Sequence, residues 1–306
     1  MNTLNYSLLD VFTKTPFGGN QLAVFQPNKV LPTETMQKIA RELNLSESVF
    51  IYPADDSNHE KRLRIFTPHV ELPMAGHPTI GAAYLLADQG IVETKEGENE
   101  WIFEEGVGDV PVTVHKENSE ITKVEMQQPT PLFGDQFSNI EAVTELLSLS
   151  INELDTSLPI QTVSSGVPFL YIPIRSLSAI QNIHFRADIW EKYFSGNPNT
   201  KHIFTFTTET EHQESTVHSR MFAPAMGISE DPATGAASGP LGAYLVENGV
   251  VSPNDNDSYL IKSEQGLELG RPSYIDISIR KDGNGFKKVK IGGNSVIIGS
   301  GQLNLF

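Results

Sequence analysis

The chain contains no cysteine. That excludes disulfides, thiolate zinc sites and every thiol-based mechanism. Its eight histidines show no H-E-x-x-H or comparable metal spacing. No G-x-x-x-x-G-K-[ST] run is present and no G-x-G-x-x-G follows a strand, so neither a metal nor a nucleotide cofactor is expected. Basic residues are scarce: 22 Lys and Arg against 38 Asp and Glu leave a net charge of −16. Such a surface disfavours nucleic-acid binding and repels anions at long range. A carboxylate substrate would have to be held by local donors such as backbone N–H groups. No apolar run approaches the roughly 18 residues of a membrane span. The start, Met1-Asn2-Thr3-Leu4-Asn5-Tyr6, has no basic stretch ahead of an apolar core, so a cytoplasmic location is expected, with no membrane contact.

What is there begins with size. The 306 residues, 39% of them apolar, suit two folded domains of ordinary length. Two segments resemble each other. Arg64-Ile-Phe-Thr-Pro68 leads to Glu71-Leu-Pro-Met-Ala-Gly-His-Pro78 and an apolar run ending at Asp88-Gln89-Gly90. Arg220-Met-Phe-Ala-Pro224 leads to Glu230-Asp-Pro-Ala-Thr-Gly235 and an apolar run ending at Glu247-Asn248-Gly249. Arg64 thus matches Arg220, Glu71 matches Glu230, Pro73 matches Pro232 and Gly76 matches Gly235. Two copies half a chain apart imply duplicated halves rather than a solenoid. Each copy reads as strand, loop, helix and C′ glycine. The first helix is expected from about Thr79 to Gln89; being apolar nearly all round, it should be buried.

Short strands are expected around these helices, among them Tyr6–Phe12, Leu22–Phe25, Val110–Val114, Tyr171–Ile174, Ile203–Phe206, Ile275–Ile279 and Ser295–Ile298. Peripheral helices are expected over Thr33–Leu43 and Ile140–Leu147, capped by Thr33 and Ser138. The acidic tract Glu93–Glu105 reads as a solvated turn region, and Gln127-Gln128-Pro129-Thr130-Pro131 as a linker. The expected halves are residues 1–127 and 128–299, with the C-terminal strand 300–306 a candidate addition to the first.

Candidate chemistry gathers at the two helix starts. Backbone N–H groups there bind anions, and Gly76 and Gly235 let a ligand approach closely; both starts read equally as plain helix caps. His77 follows Gly76. It is either a structural hydrogen-bonding group or a neutral catalytic one, because a helix N-terminus lowers imidazole basicity. Asp231, where the first copy has Leu72, breaks the repeat with a carboxylate that either acts chemically or stabilises the helix dipole. Glu47 precedes the apolar run Val49-Phe50-Ile51. It is either an ordinary surface glutamate or a carboxyl held against apolar surface for acid–base work.

Several motifs together resemble the PhzF-like isomerases of phenazine biosynthesis. They are Asp10-Val-Phe12, Gly18-Gly-Asn20, Leu22-Ala-Val24, Asn44-Leu-Ser-Glu-Ser48, Arg64-Ile-Phe-Thr-Pro68, Leu72-Pro-Met-Ala-Gly-His-Pro78, Glu230-Asp-Pro-Ala-Thr-Gly235, Gln265-Gly266, Gly270-Arg-Pro-Ser273 and Gly292-Gly293. The resemblance covers essentially the whole chain. It implies an α/β (α+β) fold of the diaminopimelate-epimerase type: two pseudo-symmetric halves, each a curved sheet around a central helix, with the active site in the cleft between them. It implies a homodimer and cofactor-free isomerisation of a small carboxylate. Glu47 then moves a proton between carbons while His77 and Asp231 hold the substrate and assist. Asn20, Gly76, Thr234, Gly235 and Ala236 fall at substrate-binding positions. Fold relatives that use two cysteines as bases set no precedent for a chain without any. Two positions depart from the family pattern. Gln21 stands where Pro is common, and Ala236 stands where Ser is usual, removing a hydroxyl donor. A different substrate, or a role as a small-molecule binding protein, is the expectation attached to Ala236.

Overall fold

The structure, a computed structural model, describes residues 2–255 and 257–305. The chain divides into two compact units, Met1–Gln127 with Gly292–Phe306, and Gln128–Ile291.

The first unit opens with β1 (Asn2–Val11), β2 (Asn20–Phe25), α1 (Thr33–Leu43), β3 (Glu47–Tyr52), β4 (Lys61–Phe66) and β5 (Glu71–Leu72). It continues with α2 (Gly76–Asp88), β6 (Gly97–Glu105), β7 (Gly108–Glu117) and β8 (Glu120–Gln128). The strand Ser295–Leu305 returns to pair antiparallel with β1 along its length. From β1 the sheet runs through β2, parallel β3, antiparallel β4, parallel β6 and antiparallel β7 and β8. Helix α2 packs against β1, β2, β3 and β7. All of its residues except Tyr84 and Asp88 are buried, as its all-round apolar sequence requires.

The second unit repeats this plan. Its elements are β9 (Leu132–Gln136), α3 (Ile140–Leu147), β10 (Gln161–Ser164), β11 (Pro168–Pro173), α4 (Leu177–Gln181), α5 (Ala187–Tyr193), β12 (Ile203–Thr207) and β13 (Val217–Ala223). They are followed by β14 (Ile228–Asp231), α6 (Gly235–Glu247), β15 (Ser258–Gln265), β16 (Ser273–Asp282) and β17 (Gly285–Gly293). Strand β11 pairs parallel with β12, β12 antiparallel with β13, and β13 parallel with β15, as β2, β3, β4 and β6 do. Helix α6 is buried except at Ala236 and Glu247. Both central helices end alike. Gly90 and Gly249 take positive φ, and the N–H groups of Ile91 and Val250 return to the carbonyls of Leu86 and Leu245 at 2.9 Å.

The expected α/β class, with one buried helix in each half, is what the structure has. Helices α1 and α3 run as expected, but their caps do not. Pro32 occupies the cap position of α1, and the Thr33 hydroxyl accepts from Arg64 Nη2 at 2.9 Å instead. The cap of α3 is Asn139, not Ser138; its side chain accepts from the Ala142 N–H at 3.1 Å. Helix α2 starts at Gly76, ahead of the expected Thr79, because Pro78 has no N–H and so needs no acceptor in the first turn. The acidic tract is also corrected. Its second half is β6, where Trp101, Phe103 and Glu105 alternate inward and the other glutamates point outward. The second unit ends at Ile291, and Ser295–Leu305, which pairs with β1, falls in the first.

Candidate active site

In the first unit, strand register gathers residues far apart in sequence. Gly19, at φ +62°, turns the chain into β2, whose first residue is the buried Asn20. Leu22 pairs in parallel with Glu47, so β2 and β3 start at the same end of the sheet. Helix α2 brings His77 to that end. His77 Nε2 lies 3.2 Å from Glu47 Oε2, and both side chains are largely enclosed.

Burial holds the His77 ring down to about pKa 3, against the opposing effect of a hydrogen bond to the Gln21 backbone. The ring is therefore neutral at ordinary pH, and its contact with Glu47 is not an ion pair. A ring that donates to the Gln21 carbonyl through one nitrogen presents the other as an acceptor. An acceptor facing Glu47 forms a hydrogen bond when the carboxyl carries a proton. Gly76 is the first residue of α2, where N–H groups lack helical acceptors.

The second unit builds a different constellation on the matching frame. Asp231 closes β14 and is buried. Thr234, the residue before α6, donates its hydroxyl to Asp231 Oδ2 at 2.6 Å. Gln265 fixes both: its Nε2 donates to the Asp231 carbonyl at 2.7 Å and to the Thr234 hydroxyl at 3.0 Å. The Thr234 N–H returns a bond to Gln265 Oε1 at 3.2 Å. The Thr234 hydroxyl is thus committed to orienting Asp231. Gly235 opens α6, and its carbonyl accepts from Gln128 Nε2 at 3.0 Å. Ala236, only partly covered, supplies no side-chain donor there. Gln265 has no role in the motif pattern; its signal in the sequence is the glycine directly after a strand, Gly266, here at φ +78°.

The structure brings Glu47 and His77 into contact, and joins Asp231 to Thr234 through Gln265. Each group stands beside the N-terminus of a buried helix. Such a setting favours anion binding and acid–base chemistry.

Paired halves of this kind, each a sheet around one buried helix, make a diaminopimelate-epimerase-like fold. A family model described as phenazine biosynthesis-like protein (PhzC-PhzF) matches residues 9–301. An uncharacterized isomerase of Clostridium acetobutylicum is 37% identical over 98% of both chains. The trans-2,3-dihydro-3-hydroxyanthranilate isomerase of Pseudomonas fluorescens is 31% identical over 98% of this chain and 99% of its own. A Bacillus anthracis phenazine biosynthesis protein of the PhzF family has a TM-score of 0.89 at 27% identity, over 100% of both chains. The chain belongs to the PhzC-PhzF family of phenazine biosynthesis-like proteins and is an isomerase of that family.

Proposed function

We propose that the protein moves a proton between two carbons of a small carboxylate without a cofactor, with Glu47 as the single proton carrier. The observation that carries this reading is the enclosed contact between Glu47 and a neutral His77 at 3.2 Å. In the reaction, the Glu47 carboxylate takes a proton from one carbon and becomes an acid. The acceptor nitrogen of His77 holds that acid. Glu47 then returns the proton to the second carbon, so carboxylate and enzyme end as they began. Asp231, oriented by Thr234 and Gln265, bonds a donor group of the substrate. Backbone N–H groups at Gly76, Gly235 and Ala236 hold the substrate carboxylate and the charge that develops in the transition state. Asn20 contributes a buried amide at the start of β2. The relatives named as trans-2,3-dihydro-3-hydroxyanthranilate isomerases make small unsaturated amino carboxylates the first substrates to test. The family resemblance supports a cytoplasmic homodimer.

The experiment is incubation in heavy water with a panel of such carboxylates, followed by proton NMR, for wild type and Glu47→Gln. The expected result is isomerisation or carbon-bound deuterium with wild type and at least a hundredfold less with the variant, the order lost with a general acid–base group. Turnover unchanged by Glu47→Gln would refute the assignment.

A further inference from the structure

Glu105 is buried at the end of β6, in a tract whose other glutamates face outward. Its Oε1 lies 2.5 Å from the Thr79 hydroxyl, which also lies 2.7 Å from the Ala75 carbonyl. A hydroxyl has one proton to give. If it goes to Ala75, then Glu105 must supply the proton in its own contact with Thr79.

The second half supplies a comparison for this arrangement. Arg62 pairs with Glu104 in the β4–β6 ladder, and His218 pairs with Glu264 in the equivalent β13–β15 ladder. The residues that follow, Glu105 and Gln265, therefore occupy the same place. Further contacts repeat with them. Glu104 accepts from the N–H groups of Asp55 and Asp56, as Glu264 does from those of Glu211 and His212. Gly106 lies against the backbone of Pro73, as Gly266 lies against that of Pro232. Ser238, the counterpart of Thr79, donates to the Thr234 carbonyl at 2.9 Å. The amide of Gln265 both accepts from the helix-cap N–H and donates to a hydroxyl at the helix start, that of Thr234 at the place of Ala75. Only a protonated carboxyl has that dual capacity at position 105.

We propose that Glu105 is a neutral carboxylic acid that positions the start of α2, and with it His77, by donating through Oε1 to the Thr79 hydroxyl. It is a positioning residue, and its effect on turnover rests on the function proposed above. Ionising it sets a carboxylate against Thr79 and breaks the chain of donors that fixes the first turn.

The surroundings agree. Charged groups on the neighbouring elements are engaged elsewhere: Arg62 of β4 with Asp55, Glu71 of β5 with Arg64, and Asp109 of β7 with His59. His77 of α2 is neutral and faces Glu47. Burial raises the Glu105 pKa to about 8, outweighing the contacts with Thr79 and Ala75. A folded-state value above the ordinary 4.5 means that stability falls as pH rises toward and through 8.

The test compares wild type with Glu105→Gln, which installs the amide of the second half, and with Glu105→Ala. Infrared spectroscopy at pH 7 should show a protonated carboxyl band in wild type that Glu105→Gln lacks. The wild-type Tm should fall as pH rises from about 4.5 and level off above about 8, while Glu105→Gln lacks that fall and is at least as stable as wild type at pH 7. The histidine NMR signal of His77 should shift as pH passes about 8 in wild type only. Glu105→Ala, if folded, should show a displaced His77 signal at every pH. No carboxyl band, a pH-independent His77 signal or a Glu105→Gln variant destabilised at pH 7 would overturn the proposal. None of these readouts needs a substrate, so they stand apart from failure of the isomerase reading.

Discussion

The duplicated Arg–Glu pair tests whether burial or bond length sets the worth of an ion pair. Arg64 bonds Glu71 at 2.7 and 2.6 Å, and Arg220 bonds Glu230 at 2.8 and 2.9 Å. Each guanidinium also lies over an aromatic ring, at 5.3 Å from Phe66 and 5.2 Å from Phe222. By length the first pair is stronger. By burial the order reverses, because side-chain exposures are 23% and 35% in the first pair but 9% and 12% in the second. Arg220 Nη1 further donates to the carbonyls of Ile180 and Ile183 at 3.0 and 3.3 Å. Arg64→Ala leaves Glu71 open to water and should cost about 1 kcal/mol. Arg220→Ala leaves a carboxylate and two carbonyls buried without their donor and should cost about 3–5 kcal/mol. Urea unfolding followed by circular dichroism measures both. A double variant, Arg220→Met with Glu230→Leu, should recover part of the loss by removing the stranded charge. Equal midpoint shifts for Arg64→Ala and Arg220→Ala, or no recovery in the double variant, would refute the reasoning.

Two further outcomes follow from buried groups of the second unit. His218 is enclosed between Glu264 and Glu268, each at 2.8 Å. Burial opposes its charge, but the two glutamates outweigh it and push the pKa up to about 9. This lies above the ordinary 6.5, so the contribution is complete below 6.5 and lost as pH rises through 9. Both glutamates are held below the ordinary carboxylate value of 4.5, so theirs is lost on acidification. In Tm-against-pH scans, His218→Gln should remove the step near 9, a step that Glu105→Gln retains. The second outcome concerns Gly266, at φ +78°, where an added Cβ would lie 2.5 Å from the Pro232 carbonyl and 2.6 Å from that of Arg271. Gly90, at φ +64°, has open space there. Gly266→Ala should therefore cost more than the roughly 1 kcal/mol expected of Gly90→Ala, and should also lower turnover by moving Gln265; comparable melting shifts would count against this.

How much was legible in the sequence depended on which force set each feature. The central helices announced themselves because a helix apolar on all sides has only one place to go. Strand β6 was hidden because six of its nine residues are Gly, Asn or Glu, although alternation, not mean polarity, defines a half-buried strand. That misreading concealed Glu105. Glu47 and His77 were legible as candidates through motif resemblance, but their contact is a product of the parallel β2–β3 register, which no local pattern encodes. Thr33 shows the same limit at short range: its hydroxyl looked like a cap, and Pro32 and Arg64 gave it another use.

Duplication separates structural from chemical residues more sharply than burial does. Arg64 and Arg220, Glu71 and Glu230, and Thr79 and Ser238 make like contacts in both units, which marks them as parts of the frame. The candidate chemistry lies where the copies differ. His77 stands where the second copy has Ala236, and Asp231 stands where the first has Leu72. The same comparison reaches Glu47. Ser48 pairs with Phe66 as Ile203 pairs with Phe222, so the residue in Glu47's place is His202. Burial, helped by Lys201, holds that imidazole down to about 4, and its ring packs 5.7 Å from that of Phe169. A carboxyl in one and a neutral, ring-packed imidazole in the other put Glu47 among the positions where the copies differ, as the single carrier proposed above requires. Such a carrier takes a proton from a carbon and returns it to another on the same face, which favours a shift of hydrogen along the substrate over inversion at one centre.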